Sequence, residues 1–296
     1  MTSTLDPVAV VTTEPETATV STSRRSVAPP RAAFGVARIA GRFLWKSAAI
    51  GLFLGLWEFA PNRLLSEETS TFLPPFHVVA QAWWRLVQDG TLWTQFQASI
   101  GRSLVGFGIA IAIAIPLGLL IAWYQPVSDF LDPLLELFRN TAALALLPVF
   151  TLLLGIGETA KIALIVYACV FPILLNTIAG VKTVDPLLIR AARSLGLSSP
   201  RLFQKVILPS AVPTIFTGIR MAGAASILVL IAAEMIGAKA GLGIYISSTQ
   251  QSFQIPQMYA GIVSISVLGV AFNYGLVRLE RHFSKWRTDF RGDNAQ

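Results

Sequence analysis

The sequence predicts an all-α integral membrane protein with six transmembrane helices and both termini cytoplasmic. Three observations carry that prediction. Of 296 residues, 54% are hydrophobic and only 13% charged, about half the charged share of an ordinary soluble domain, and the mean hydropathy is +0.63. Uncharged runs of the roughly 20 residues that a spanning helix takes recur along the chain. The lysines and arginines fall between those runs and on one side of them. A net charge of +7 therefore reads as orientation in a bilayer rather than as a nucleic-acid face, which needs basic residues clustered on a soluble fold. The single cysteine, Cys169, excludes an intrachain disulfide and a multi-cysteine metal site.

Residues 1–42 read as a disordered basic cytoplasmic tail. Eleven Ser or Thr fall in the first 26 residues, with prolines and no apolar period, and Arg24, Arg25, Arg31, Arg38 and Arg42 follow. The apolar run begins only near Trp45, too late for a cleaved signal peptide, so the first helix is expected to be retained.

A transmembrane domain over 43–281 follows, with spans expected at about 43–60, 103–124, 140–157, 162–181, 210–236 and 258–277, and a cytoplasmic tail over 282–296. The first run is the weakest, with Lys46 and Glu58 near its ends and Pro61 closing it. The second is the clearest, since nothing charged separates Arg102 from Asp129. The third and fourth lie between Arg139 and Glu158 and between Lys161 and Lys182. The fifth carries Arg220 and Glu234, and the sixth is uncharged. Pro116, Pro148 and Pro172 fall inside the second, third and fourth runs, where each removes a backbone donor and bends a helix. Bent helices suit a moving pathway, although bilayer helices also simply tolerate proline.

Orientation follows from Lys and Arg near the span ends. With the N-terminus inside, the inside segments hold 17 of the 23 basic residues, Arg139 and the group from Lys182 to Lys205 among them. The outside segments hold 5: Arg63, Arg85, Arg102, Lys161 and Lys239. An odd number of spans would put one strongly basic end outside. The external segment 62–100 places Val78, Val79, Ala82, Trp83 and Leu86 at helical spacing, which describes a short amphipathic helix with Trp83 and Trp84 at the lipid interface. An interfacial lid and a docking surface for an external partner both fit it.

Between the fourth and fifth spans, the segment from Asp185 to Pro209 carries local signals that agree. Asp185 is a good N-cap with Pro186 at the first helical position, Gly196 ends that helix in a left-handed turn, and Ser199-Pro200 repeats the cap and start. Leu187, Leu188, Ala191, Ala192 and Leu195 form one stripe, with Arg190, Arg193, Arg201 and Lys205 around it. Small residues let a partner approach closely, so the loop reads as a knob for a groove. From the residues alone, a loop that merely caps the bundle stands level with it.

The order Ala191-Ala192, three residues, Gly196, nine residues, then Val206-Ile-Leu-Pro209 resembles the EAA motif of importer permeases in the ATP-binding cassette superfamily. The resemblance extends through Leu73-Pro-Pro, Gly155-Ile-Gly157-Glu158, Ala232-Ala-Glu234, Gly241-Leu-Gly243 and Leu279-Glu280-Arg281, nearly all the chain after residue 45. It is most similar to the nitrate, sulfonate and taurine permease group. The resemblance implies five core transmembrane helices plus one N-terminal helix and a subunit without its own ATPase site. It implies as partners a cytoplasmic ATPase, an extracytoplasmic solute-binding protein and a second permease copy in the lipid membrane. It also implies that Arg190, Ala191, Ala192, Gly196, Leu208 and Pro209 form the coupling region that sits in a cleft of the ATPase. Arg190 stands where the motif has its Glu, so contacts that rely on the acid do not carry over, while the helix–glycine–helix shape does. The chain has no G-x-x-x-x-G-K-[ST] phosphate loop, which assigns hydrolysis to another subunit.

Charges within a span point to function, which makes Arg220 and Glu234 the pathway or gate candidates. They are separated by roughly 21 Å of helix, too far for a direct pair, so each needs another partner. Arg220 is expected near mid-span, where it suits an anion; Glu234 is expected near the outer end, in reach of solvent. No cofactor or metal site is expected. His77 and His282 lie in different segments and Cys169 has no histidine in reach, so no nucleophile with its base assembles. The function expected is the pathway for a small solute such as a sulfonate, taurine or nitrate. An ion-coupled secondary carrier, or an importer of the same superfamily for another solute, is the alternative.

Overall fold

The computed structural model describes residues 48–61, 63 and 71–283. The basic tail 1–42, the start of the first expected span and most of the C-terminal tail lie outside the described residues. Contacts divide the chain into Met1–Phe53 and Leu54–Gln296. Of the first unit, residues 48–53 are described, and they are helical. They open α1 (Ala48–Pro61), an apolar helix shorter than a full span.

Among the described residues of the second unit, all regular structure is helical. After α1 come α2 (Phe76–Gln88), α3 (Thr91–Trp123), α4 (Gln125–Arg139), α5 (Leu147–Leu154), α6 (Glu158–Lys182), α7 (Pro186–Ser194), α8 (Ser199–Met235), α9 (Leu242–Gln251) and α10 (Ile255–Phe283). Four of these, α3, α6, α8 and α10, are long and apolar enough to cross a membrane. A fifth candidate is α4 together with Ala143–Leu154, bent by 83°.

The helices are longer than the uncharged runs that announce them. The run beginning at 103 lies in a helix that begins at Thr91, and the one beginning at 162 lies in a helix that begins at Glu158. Arg102 therefore sits inside a helix rather than at its end, and Lys161 falls in the first turn of α6. The run 140–157 takes a different shape from one straight helix. The Asn140 amide donates to the Glu136 carbonyl at 2.9 Å and the Thr141 hydroxyl to the Leu137 carbonyl at 3.1 Å. Such bonds to the preceding turn close off the last carbonyls of α4. A 3₁₀ turn over Ala143–Leu146 follows, then the short α5. Pro148 stands in the first turn of α5, where no intrahelical donor is lost, so it starts a helix instead of bending one.

α6 is the centre of the bundle, packed along α3 on one side and α8 on the other. Leu164, Ile165, Cys169, Ile173 and Leu174 are buried there. Lipid tails are as apolar as leucine, so close packing rather than removal from water holds such helices together. Small residues make the approach: a Cβ added at Gly118 would lie 2.8 Å from the Thr177 Cβ, and one at Gly218 would lie 2.5 Å from the Asn176 Cβ. α2 covers α10 with the face expected from its spacing. Val79 and Leu86 are buried, and the Trp83 indole donates to the Ser264 hydroxyl at 3.1 Å. Its start is tied to α1 by Trp57, which donates to the Pro74 carbonyl at 3.2 Å, and by Glu58, which accepts from the His77 backbone at 3.0 Å.

α8 contains one irregular stretch, a π turn over Phe203–Ile207. After one residue, Leu208, comes Pro209. It has no N–H to offer the Lys205 carbonyl and its ring crowds that carbonyl. The wider turn, closed by Leu208 N–H donating to the Phe203 carbonyl, relieves this.

Candidate functional site

Opposite ends of α6 and α8 carry the two features that the sequence singles out. At the end where α6 begins and α8 finishes, Glu234 is completely buried rather than solvated. Its carboxylate lies 2.6 Å from Arg102 Nη1. The Ser99 hydroxyl is 2.8 Å from each of its oxygens. The Gly243 N–H donates to Oε2 at 2.9 Å. Arg102, itself buried, turns the rest of its guanidinium to Glu158, with Nη2 donating to Oε1 at 2.9 Å and Nε facing Oε2. It also donates to the Ala240 carbonyl at 2.6 Å. Such a fork with two carboxylates uses the planar donor geometry that only arginine offers.

Gln95, Ser99 and Arg102 follow at i, i+4 and i+7, one face of α3. That face clamps the turn between α8 and α9. Gln95 accepts from the Gly241 N–H at 2.6 Å, and Ser99 from the Leu242 N–H at 2.9 Å. Lys161, also buried, donates to the carbonyls of Gly157 at 3.1 Å and Gly237 at 3.4 Å. Two carboxylates, a guanidinium and an ammonium leave the cluster formally neutral. Gly241 adopts a φ of +136°, and a Cβ there would overlap the Glu234 carboxyl. The Ala-Ala-Glu and Gly-Leu-Gly stretches are thus two halves of one site.

At the other end, the first helix of the knob and its glycine turn form as their signals predict. The Asp185 carboxylate accepts from the Leu187 N–H at 2.7 Å and Pro186 opens α7. Gly196 has a φ of +77°, and Leu197 and Gly196 return N–H groups to the carbonyls of Ala192 at 3.2 Å and Arg193 at 2.9 Å, the paired bonds of a Schellman ending. The second helix has Ser198 at its N-cap position, one residue before the expected cap, and its side chain makes no capping bond. The apolar stripe divides. Ala192 packs on the bundle, whereas Leu187 and Leu195 are 70% and 80% exposed beside exposed Arg190 and Ala191. Leu208 and Pro209 are half-buried at the root of the knob, after the π turn.

Arg220 is not brought to Glu234. It pairs instead with Glu280 of α10 at 3.2 Å, and both remain partly exposed. Arg102, Ser99, Gln95, Glu158 and Lys161 were missed as site residues. Arg102 and Lys161 read as span ends, and Glu158 only as part of a resemblance. The one available signal is the i, i+4, i+7 register of Gln95, Ser99 and Arg102 ahead of an apolar run.

Residues 114–287 match the family described as binding-protein-dependent transport system inner membrane component. The chain is 36% identical to the taurine transport system permease protein TauC of Escherichia coli strain K12, over 78% of this chain and 84% of that protein. It is 31% identical to the putative aliphatic sulfonates transport permease protein SsuC of Bacillus subtilis strain 168, over 85% and 91%. It is 30% identical to the nitrate import permease protein NrtB of Leptolyngbya laminosa, over 87% and 94%. Among solved structures, the inward-facing MetNI methionine ABC transporter is similar in fold, with a TM-score of 0.50 at 21% identity over 68% of this chain and 96% of that one.

Proposed function

This chain belongs to the binding-protein-dependent transport system inner membrane components, and from that premise we infer how its parts serve import. It is the transmembrane permease subunit of an ATP-binding cassette importer, and ATP hydrolysis belongs to a separate subunit. The solute is a small anion or zwitterion of the sulfonate, taurine or nitrate kind, the chemistry named for its relatives.

Six spans cross the inner membrane: α1, α3, the bent α4–α5 pair, α6, α8 and α10, with both termini cytoplasmic. The charge distribution supports this orientation, because the knob and the end of α10 concentrate basic residues. Arg190, Ala191, Ala192 and Gly196 enter a cleft of the ATPase, while Leu208 and Pro209 form the root through which the push passes into α8. Three exposed leucines, Leu187, Leu188 and Leu195, beside a basic rim, on a helix fixed by caps at both ends, are the observation that carries this reading. At the far end, Glu234 serves the gate by fixing the α8–α9 turn under the solute-binding protein, and Arg220 lines the pathway. A second copy of the chain completes the pathway.

The test is Gly196→Val, which forbids the left-handed turn. Uptake and co-purification of the ATPase are expected to be lost while membrane insertion is spared. Unchanged co-purification would sink the coupling assignment, and uptake that survives deletion of the ATPase but follows an ion gradient would favour the carrier.

A further inference from the structure

Half-way along the bundle, the α4–α5 span breaks, and the break carries charge. α6 supplies the scale, since its 25 residues rise about 37 Å. At its knob end, Lys182 donates to Ser128 of α4 at 2.7 Å, which fixes the start of α4 at that level. At its middle, the Tyr167 hydroxyl donates to the Phe138 carbonyl at 3.3 Å, and Phe138 stacks on Phe171 with centroids 5.8 Å apart. Phe150 of α5 lies 6.1 Å from Tyr167 on the far side of the break. α4 therefore climbs to mid-height and stops, and α5 takes over at a bend of 83°. Arg139 sits at that stop, beside the middle of α6.

Glu136 and Arg139 pair at 2.8 Å with side chains 58% and 54% exposed. The Asn140 amide donates to Glu136 Oε1 at 3.1 Å. The pair belongs wholly to α4. Charges at mid-membrane that face lipid cost several kcal/mol, and irregular backbone at that depth is tolerated only inside protein or beside a water-filled cavity. Secondary carriers place solute sites at broken helices at mid-membrane, and the physical reason, free backbone and charge beside water, is the same here.

We propose that the break at Arg139–Ala142 lines the water-filled pathway and binds the anionic head group of the solute, an oxyanion such as a sulfonate. The guanidinium of Arg139 and the amide of Asn140 donate to its oxygens, and Glu136 is the counter-ion that Arg139 exchanges for the solute. This rests on reading the chain as an importer permease.

The test uses the whole transporter in membrane vesicles, in a Cys169→Ala background that leaves this chain no native thiol, and modification is read on this subunit after it is separated from its partners. Ala142, exposed within the break, becomes the reporter as Ala142→Cys. Its modification is timed with a sulfonate-bearing methanethiosulfonate and with the trimethylammonium analogue. Both reagents are expected to react, the anionic one faster. Arg139→Gln should slow the anionic reagent about tenfold without slowing the cationic one, Arg139→Lys should retain most of the rate, and Glu136→Gln should raise the anionic rate. No reaction with either reagent would overturn the pathway assignment, and rates indifferent to residues 136 and 139 would overturn the anion site. The readout does not pass through the ATPase, so failure here is distinct from failure of the knob test.

Discussion

Arg102 and Glu234 stand 132 residues apart in the chain and 2.6 Å apart in the fold, both buried. The pair joins the first long helix to the end of α8, and Glu158 brings in the start of α6. A charge removed from water gains from its partner only while the partner is present. Removing one member of a buried pair costs about 3–5 kcal/mol, because the other is left uncompensated. Glu158, whose side chain is 55% exposed, is screened and worth about 1 kcal/mol or less.

Glu234→Ala is therefore expected to lower the thermal midpoint of the detergent-solubilised subunit much more than Glu158→Ala. Glu234→Gln should fall between them, since it keeps hydrogen-bonding atoms for Ser99 and Gly243 while losing the charge. Equal shifts for the two glutamates would show that burial does not decide the energetics of this cluster.

Two glycines of α3 provide a matched comparison for the bundle core. A Cβ at Gly118 would press on Thr177, whereas at Gly108 nothing lies within 4 Å. Gly118→Val is expected to cost about 1–3 kcal/mol through overpacking of the α3–α6 seam. Gly108→Val is expected to stay within about 0.5 kcal/mol of the parent. Denaturation of the two variants in the same detergent checks the ranking.

What the sequence made legible follows from the range of the interactions involved. The knob was readable down to its caps because Asp185, Pro186 and Gly196 act on backbone a few residues away. The long helices were readable because uncharged runs mark them. The start of α3 was not, because Arg102 is neutralised by Glu158 and Glu234, which are distant in sequence and which no local pattern displays. The break after Arg139 escaped for a related reason: Asn140 and Thr141 look unremarkable in an apolar window, and the change of direction after them shows only in the fold. Arg220 and Glu234 were correctly denied a mutual pair by helix geometry, but their partners, Glu280 and Arg102, became visible only with tertiary packing.

The knob exposes leucines at no cost to its own fold, so its apolar surface can be altered without unfolding the chain. Leu195→Asp is expected to leave the stability of the isolated subunit within about 0.5 kcal/mol of the parent, while abolishing recovery of the ATPase in a pull-down. Ala192→Asp, by contrast, would bury a charge against the bundle and should destabilise the subunit itself. If Leu195→Asp retains the ATPase, the exposed leucines are not the contact surface.

The pairing of Arg220 with Glu280 separates a structural arginine from one that meets solute. If Arg220 only neutralises Glu280, then Arg220→Gln leaves an unpaired carboxylate, and adding Glu280→Gln restores both stability and uptake. If Arg220 also faces the pathway, the double replacement restores the thermal midpoint but not the rate. The Arg220 side chain is 41% exposed beside Glu280, which leaves it open to water or solute on a membrane helix and favours the second outcome. Arg220→Gln is therefore expected to slow initial uptake into proteoliposomes at least about tenfold, or ~1.4 kcal/mol, and Arg220→Gln with Glu280→Gln is expected to remain slow although as stable as the parent. An Arg220→Gln transporter with an unchanged rate would remove Arg220 from the pathway and leave the break at Arg139 as the remaining cationic contact for an anion in transit.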